Sequence, residues 1–211
     1  MNYTWSNLSE NTVNRYRSRY HIKGITPQTL GWGCSNDQET RFHAMICNYD
    51  FNQKSILDIG CGFADFYATL SKHSVSCSYY GIDVVPEFIN YCKKRFPDIS
   101  EHFSCCDFNC PDSIIPKTDV IVSNGTLNFK IDDNFTYTKH FIEKAFAITG
   151  QTVIVDFLST HLTATYPKED FVYYHSPAEV LKFALTLTEN VRLIHNYAPI
   201  PQKEFMIILD K

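Results

Sequence analysis

The residues Ser55 to Phe66, SILDIGCGFADF, carry the densest chemical signal in this chain. Strand-favouring positions lead into Asp58, a Gly60-Cys61-Gly62 turn follows, and Phe66, Thr69 and Leu70 then recur at helical spacing. This predicts a strand, a tight glycine turn and a helix. Such a turn aims backbone N–H groups at a ligand, and its glycines let the ligand approach the backbone. A pyrophosphate fits poorly here. The third glycine of the pattern G-x-G-x-x-G is replaced by Asp65, and Asp58 stands just before the turn, so two carboxylates would face an anion.

A ligand that carries positive charge and no phosphate suits the turn better. S-adenosylmethionine, with an ammonium and a sulfonium, meets that description. The following strands add to the same edge. Tyr79 to Val84, YYGIDV, ends in Asp83, about 25 residues after Asp58, close to where a dinucleotide-type fold places its ribose-binding acid. Val84 completes that strand end. Phe103 to Phe108, FSCCDF, reads as a third strand whose Asp107 and Phe108 suit an adenine amino group and ring face. Asp119 to Phe129 is a fourth strand running into the polar turn Asn124-Gly125-Thr126.

These elements need a scaffold, and the remaining pattern supplies one. Residues 1–50 are expected to form a helical cap of the same domain, and residues 51–211 the ligand-binding domain proper. Helices are predicted over Val85–Phe96, with Pro86 in the first turn, and over Asp132–Ile148, ending before Gly150. Only a stub fits between Asp107 and Lys117. Gln151–Phe157 reads as a buried fifth strand. The aromatic stretch Leu158–His175 is longer than a crossover loop needs and reads as a lid. Ser176-Pro177-Ala178-Glu179 is a capping box that opens another helix. Val191–Tyr197 and Glu204–Leu209 form a closing pair of strands.

The chain resembles the class I S-adenosylmethionine-dependent methyltransferases. It is similar in particular to small bacterial members with a G-W-G stretch (Gly31-Trp32-Gly33), a Q-x-x-R-F segment (Gln38 to Phe42) and an S-G-x-x-N-F-like turn, here Ser123 to Phe129 with one extra residue. The resemblance implies a Rossmann-like α/β fold, with a seven-stranded, mostly parallel sheet, helices on both faces and a C-terminal antiparallel hairpin. It implies S-adenosylmethionine as cofactor and S-adenosylhomocysteine as product. It also assigns Arg41, with Trp32 nearby, to the cofactor's carboxylate, a role that suits a forked guanidinium. The alternative for Arg41 is a surface salt bridge, for instance with Glu39.

Composition limits the function classes. The chain has 211 residues, 44% of them hydrophobic, which fits one domain with a sizeable core. A net charge of -4 gives no global pull on a polyanion. No apolar run is long enough to span a bilayer, and the opening residues read as neither a signal nor a transit peptide, so a cytoplasmic protein is expected. Eight cysteines, several inside predicted strands and helices, read as reduced thiols. The cluster of His102, Cys105, Cys106 and Cys110 lacks a C-x-x-C pair, and no metal is expected.

The acceptor is narrowed by exclusion. The fourth-strand turn is not the N-P-P-Y type of nucleic-acid and glutamine amino-methylating enzymes, and no nucleic-acid module is visible beyond Arg15, Arg17, Arg19 and Lys23. A small-molecule oxygen or nitrogen acceptor is therefore the leading expectation, with a monomer or homodimer and no membrane partner. Two alternatives stand beside it. One is an RNA or protein methyltransferase, the other a non-catalytic S-adenosylmethionine-binding module. Where a general base is needed, His175 is the candidate. Asn128, His161, His195 and Tyr197 are candidate acceptor contacts.

Overall fold

The computed structural model describes residues 6–110, 113–163, 166, 168–197 and 203–211. Four strands are buried along most of their length, and a strand can bury both faces only inside a sheet covered on each side. These are β1 (Lys54–Ile59), β4 (Val120–Ser123), β5 (Thr152–Leu158) and β7 (Glu204–Asp210). With β2 (Cys77–Asp83), β3 (Phe103–Cys105) and β6 (Val191–Ile194) they form one seven-stranded sheet in the order β3-β2-β1-β4-β5-β7-β6. Strands β1 to β5 run parallel. β7 is antiparallel to both β5 and β6.

Successive strand residues alternate between two cores, as the period of two requires. Ile56, Val120, Val122, Ile154, Met206 and Ile208 face one side, where α2 (Ser35–Asn48), α3 (Asp65–Lys72) and α4 (Pro86–Arg95) cover them. Leu57, Ile121, Val153, Val155, Phe157 and Ile207 face the other, beneath α5 (Asn134–Ile148) and α6 (Pro177–Ala184). The chain order reverses between β1 and β4, and a crevice at such a reversal is where open α/β sheets hold ligands. α1 (Ser6–Lys23) crosses this end of the sheet, with Tyr16 and Tyr20 against Phe63 and Phe88.

The helix signals behave as their chemistry dictates. Ser176 caps α6 by accepting from Glu179 N, with Pro177 in the first turn, and Asp133 caps α5 by accepting from Thr136 N. Two strands are shorter than expected: β3 stops at Cys105, after a last bond to β2 from Cys106 N to Asp83 O, and β6 stops at Ile194. β4 stops at Ser123, where the polar turn was expected to begin. The turn joining β6 to β7 falls largely on residues 198–202, outside the described residues. All eight cysteines are unpaired, and no metal-holding cluster occurs among the described residues. No helix among those residues is long and apolar enough to cross a membrane.

Phe141 fastens α5 to the sheet. It is buried, and its ring lies 4.9 Å from that of Phe108. Phe141→Ala should cost about 3–5 kcal/mol of stability in urea denaturation. A loss below about 1 kcal/mol would show that α5 repacks.

Candidate active site

Gly60 and Gly62 both have left-handed backbones, with φ of 76° and 55°. Each also has a close neighbour. A Cβ on Gly60 would stand 2.4 Å from Thr126 Oγ1, and one on Gly62 would stand 2.9 Å from the Leu30 methyls. The turn is thus wedged between the end of β4 and the segment before α2. Its N–H groups do not point outward as the sequence suggests. Gly60 N and Cys61 N donate to Ile82 O, and Gly62 N donates to Asp83 Oδ2 at 3.0 Å. Buried N–H groups must find partners, and the end of β2 is the nearest source. What the turn leaves beside a ligand is the nearby carboxylates.

Two of those carboxylates are buried. Asp83 accepts from Gly62 N and Val85 N, and Asp58 accepts from the Tyr79 hydroxyl. Burial pushes Asp58 up to about 7, with the Tyr79 hydrogen bond opposing and the negative Asp83 and Asp65 adding to the rise. Burial also pushes Asp83 up to about 6, against the pull of its backbone donors. Among the described residues neither acid has a cationic partner.

One strand over, Ser123 Oγ and Thr126 Oγ1 both donate to Ile59 O, which locks the β4 turn against β1. In that turn Asn124 Oδ1 is buried without a hydrogen-bond partner. Two acids short of a cation and an orphaned amide oxygen at adjacent strand ends fit a ligand rich in donors and positive charge. S-adenosylmethionine, with its ammonium, sulfonium and ribose hydroxyls, has that chemistry.

The segment before β1 closes over this edge. A Cβ on Gly125 would lie 2.8 Å from the Trp32 indole, and the Arg41 guanidinium sits 4.4 Å above the same ring. Arg41 is 4% exposed, and its partner is Glu204 at the start of β7, not Glu39. Asp156, on β5, lies 3.9 Å from Arg41 Nε. It accepts from Gly125 N at 3.1 Å and from the Tyr197 hydroxyl at 2.7 Å. Sequence reasoning missed both Asp156 and Glu204. The available signal was an acid inside or leading an apolar strand, since a buried charge needs a partner.

Several expected site residues have other work. Asp65 is held by Arg95 at 2.6 Å and Gln38 at 3.2 Å, facing α2 and α4. Phe108 lies in the core beneath α5, so its ring is not free for adenine. Asp107 remains partly exposed and bonds Asn109 N across a short turn. Val84 packs with Phe63, Val85 and Phe88. Cys61 is buried beside Cys92, which with burial pushes its thiol well up, so it is an inert filler of the turn.

On the acceptor side, His175 is corrected from a base to a brace. It is 1% exposed, its Nε2 bonds Leu127 O, and its ring lies between Phe157 and Tyr173. Burial lowers its pKa to about 4, which makes it a weak base, and at 1% exposure its ring is closed off from solvent. The Asn128 side chain accepts from Leu158 N and pins the β4 turn to β5. His195 Nε2 meets Ser159 Oγ at 2.9 Å, and the exposed His161 ring stands 5.9 Å from that of His195.

Residues 57–148 match the family model of the methyltransferase domain. A Mycobacterium tuberculosis protein that carries the name methyltransferase is 26% identical over 162 residues, covering 74% of this chain and 93% of that protein. Magnesium protoporphyrin IX methyltransferase from Synechocystis, solved with bound S-adenosylhomocysteine, superposes with a TM-score of 0.62 at 11% identity, over 97% of this chain and 95% of that one. A small RNA methyltransferase superposes with a TM-score of 0.65 at 12% identity, over 82% of this chain and 25% of that one. The domain match over residues 57–148 and the fold are those of the class I S-adenosylmethionine-dependent methyltransferases.

The raised acids give a pH test. Their folded pKa values lie above the usual carboxylate range, so the ligand-free protein gains stability from them on acidification and loses it as pH rises through about 6 to 7. A cationic cofactor favours the ionised acids. Calorimetric affinity for S-adenosylmethionine should therefore be higher at pH 8 than at pH 5.5, with protons released on binding. Equal affinity at both pH values, with no proton release, would place the ligand away from Asp58 and Asp83.

Proposed function

We propose that this enzyme methylates an oxygen or nitrogen of a small-molecule acceptor. The observation that carries the reading is the engagement of the basic residues on α1. Arg15 lies over the rings of Phe129 and Phe171, Arg17 pairs with Glu87 at 2.6 Å, and Arg19 lies over Tyr16. Arg15 and Arg17 tie α1 to other elements of the strand edge, Arg19 packs on its own helix, and the three are not a free phosphate footprint. A covered edge with aromatic walls suits a small enclosed acceptor. The porphyrin and RNA named for the two structural neighbours do not decide the acceptor, because at 11% and 12% identity they share only the fold. The unpaired thiols suit the cytoplasm.

In this reading Asp83 receives the ribose hydroxyls, Asp107 the adenine amino group, and Asp58 with Asn124 the ammonium end. Arg41, backed by Trp32, takes the carboxylate. When bound, the cofactor supplies a methyl group on a sulfonium, already activated toward displacement. The protein then has to align and desolvate the acceptor, and α1 with the 158–175 stretch excludes water from the edge. Tyr197 is held by Asp156 as an orienting hydroxyl. A carboxylate acceptor needs no base. For a hydroxyl or ammonium acceptor the proton passes to His195 or His161.

Calorimetric titration with S-adenosylmethionine and S-adenosylhomocysteine, with NAD as control, comes first, followed by acceptor screening by mass shift. The adenosyl ligands should bind and NAD should not. Asp83→Ala should weaken that binding roughly tenfold to a hundredfold, the loss expected for hydrogen bonds to a charged group. Failure of the adenosyl ligands to bind folded protein would sink the cofactor assignments. Salt-sensitive RNA binding with methyl transfer to RNA would replace the small-molecule reading.

A further inference from the structure

Arg41 lies between two buried acids that are not equivalent. Asp156 has a neutral donor on each oxygen, Gly125 N on one and the Tyr197 hydroxyl on the other. Glu204 depends on Arg41 through Oε1, and its Oε2 is buried with no partner. A second cation stands ready beside it. Lys203 Nζ is 3.8 Å from the same Oε1 and lies 4.2 Å over the ring of Tyr166, in the stretch after β5.

We propose that Glu204 is an internal stand-in for the cofactor's carboxylate, holding Arg41 until the cofactor displaces it and then passing to Lys203. The proposal rests on the reading of Arg41 as the carboxylate partner. Charge is conserved in the exchange. Before binding, Glu204 neutralises Arg41. Afterwards the cofactor's carboxylate neutralises Arg41, and Glu204 pairs with Lys203. An unpaired buried carboxylate is costly, so the exchange needs Lys203 as receiver. Since Lys203 also touches Tyr166, the exchange reaches the stretch expected to cover the acceptor. Loading of the cofactor site is thereby felt at the acceptor side without direct contact between the two ligands.

The test uses two ligands that differ at the carboxylate end. S-adenosylhomocysteine carries the amino-acid group, and methylthioadenosine is an adenosyl thioether without it. Removing a competitor for Arg41 raises the fraction of sites ready to bind. Glu204→Gln should therefore bind S-adenosylhomocysteine about fivefold more tightly, with methylthioadenosine affinity unchanged. Lys203→Met should bind S-adenosylhomocysteine about fivefold more weakly, again with methylthioadenosine unchanged. In the double variant the Lys203 effect should vanish, because no displaced charge remains to be received.

Equal or weaker S-adenosylhomocysteine binding by folded Glu204→Gln would overturn the proposal, as would parallel changes for both ligands. Should Glu204→Gln fail to fold, Lys203→Met decides alone: selective weakening supports the exchange and no change removes it. Arg41→Ala separates the two levels. If it leaves S-adenosylhomocysteine affinity intact while Asp83→Ala weakens binding as expected, the Arg41 assignment fails and the exchange with it, but the cofactor site stands.

Discussion

A buried carboxylate without a cation is the constraint on which this strand edge depends. Among the described residues Asp58 and Asp83 have neutral donors and no cation, and burial without one raises their pKa values. Beyond β4, Asp156 on β5 and Glu204 on β7 are also buried but have Arg41 and Lys203 beside them. The edge is therefore divided. One half is neutralised by the protein, and the other is left for a positively charged ligand. The glycine turn serves this division, because its N–H groups hold the end of β2 in place and its missing side chains let Thr126 and Leu30 pack against it.

Much of this was legible in the sequence. The strand, turn and helix around Gly60, the acids ending β1 and β2, and the serine cap of α6 are local patterns whose causes lie within a few residues of one another. The seven-stranded, mostly parallel sheet and its C-terminal antiparallel pair came through resemblance, and the strand order was not legible, since nothing in spacing alone orders seven strands. What stayed hidden was long-range. Arg41 and Glu204 are 163 positions apart, and only folding brings the segment before β1 onto the start of β7.

The misassigned residues share a cause. Phe108 and His175 sit where a strand or loop end was expected to reach the ligand, and each instead turns inward. β3 is short, so the chain has bent before Phe108, and its ring drops under α5 beside Phe141. His175 ends the aromatic stretch, but a backbone pairing with β5 draws it in: His175 N bonds Leu158 O, and Thr160 N bonds His175 O. Residue type announced the chemistry these side chains could do. The backbone hydrogen bonds around them decided that it would not be used at the site.

α1 has a consequence for the timing of turnover. Among the described side chains it crosses the ligand edge on two tyrosines, one half-buried ion pair and one arginine over two rings, far less than holds β4 or β5. Elements held so lightly open at a free energy well below that of global unfolding. Ligand exchange can then proceed by the lifting of one helix while the sheet stays intact. The breathing of α1 and the melting of the core are separate quantities, and strengthening the second need not slow the first.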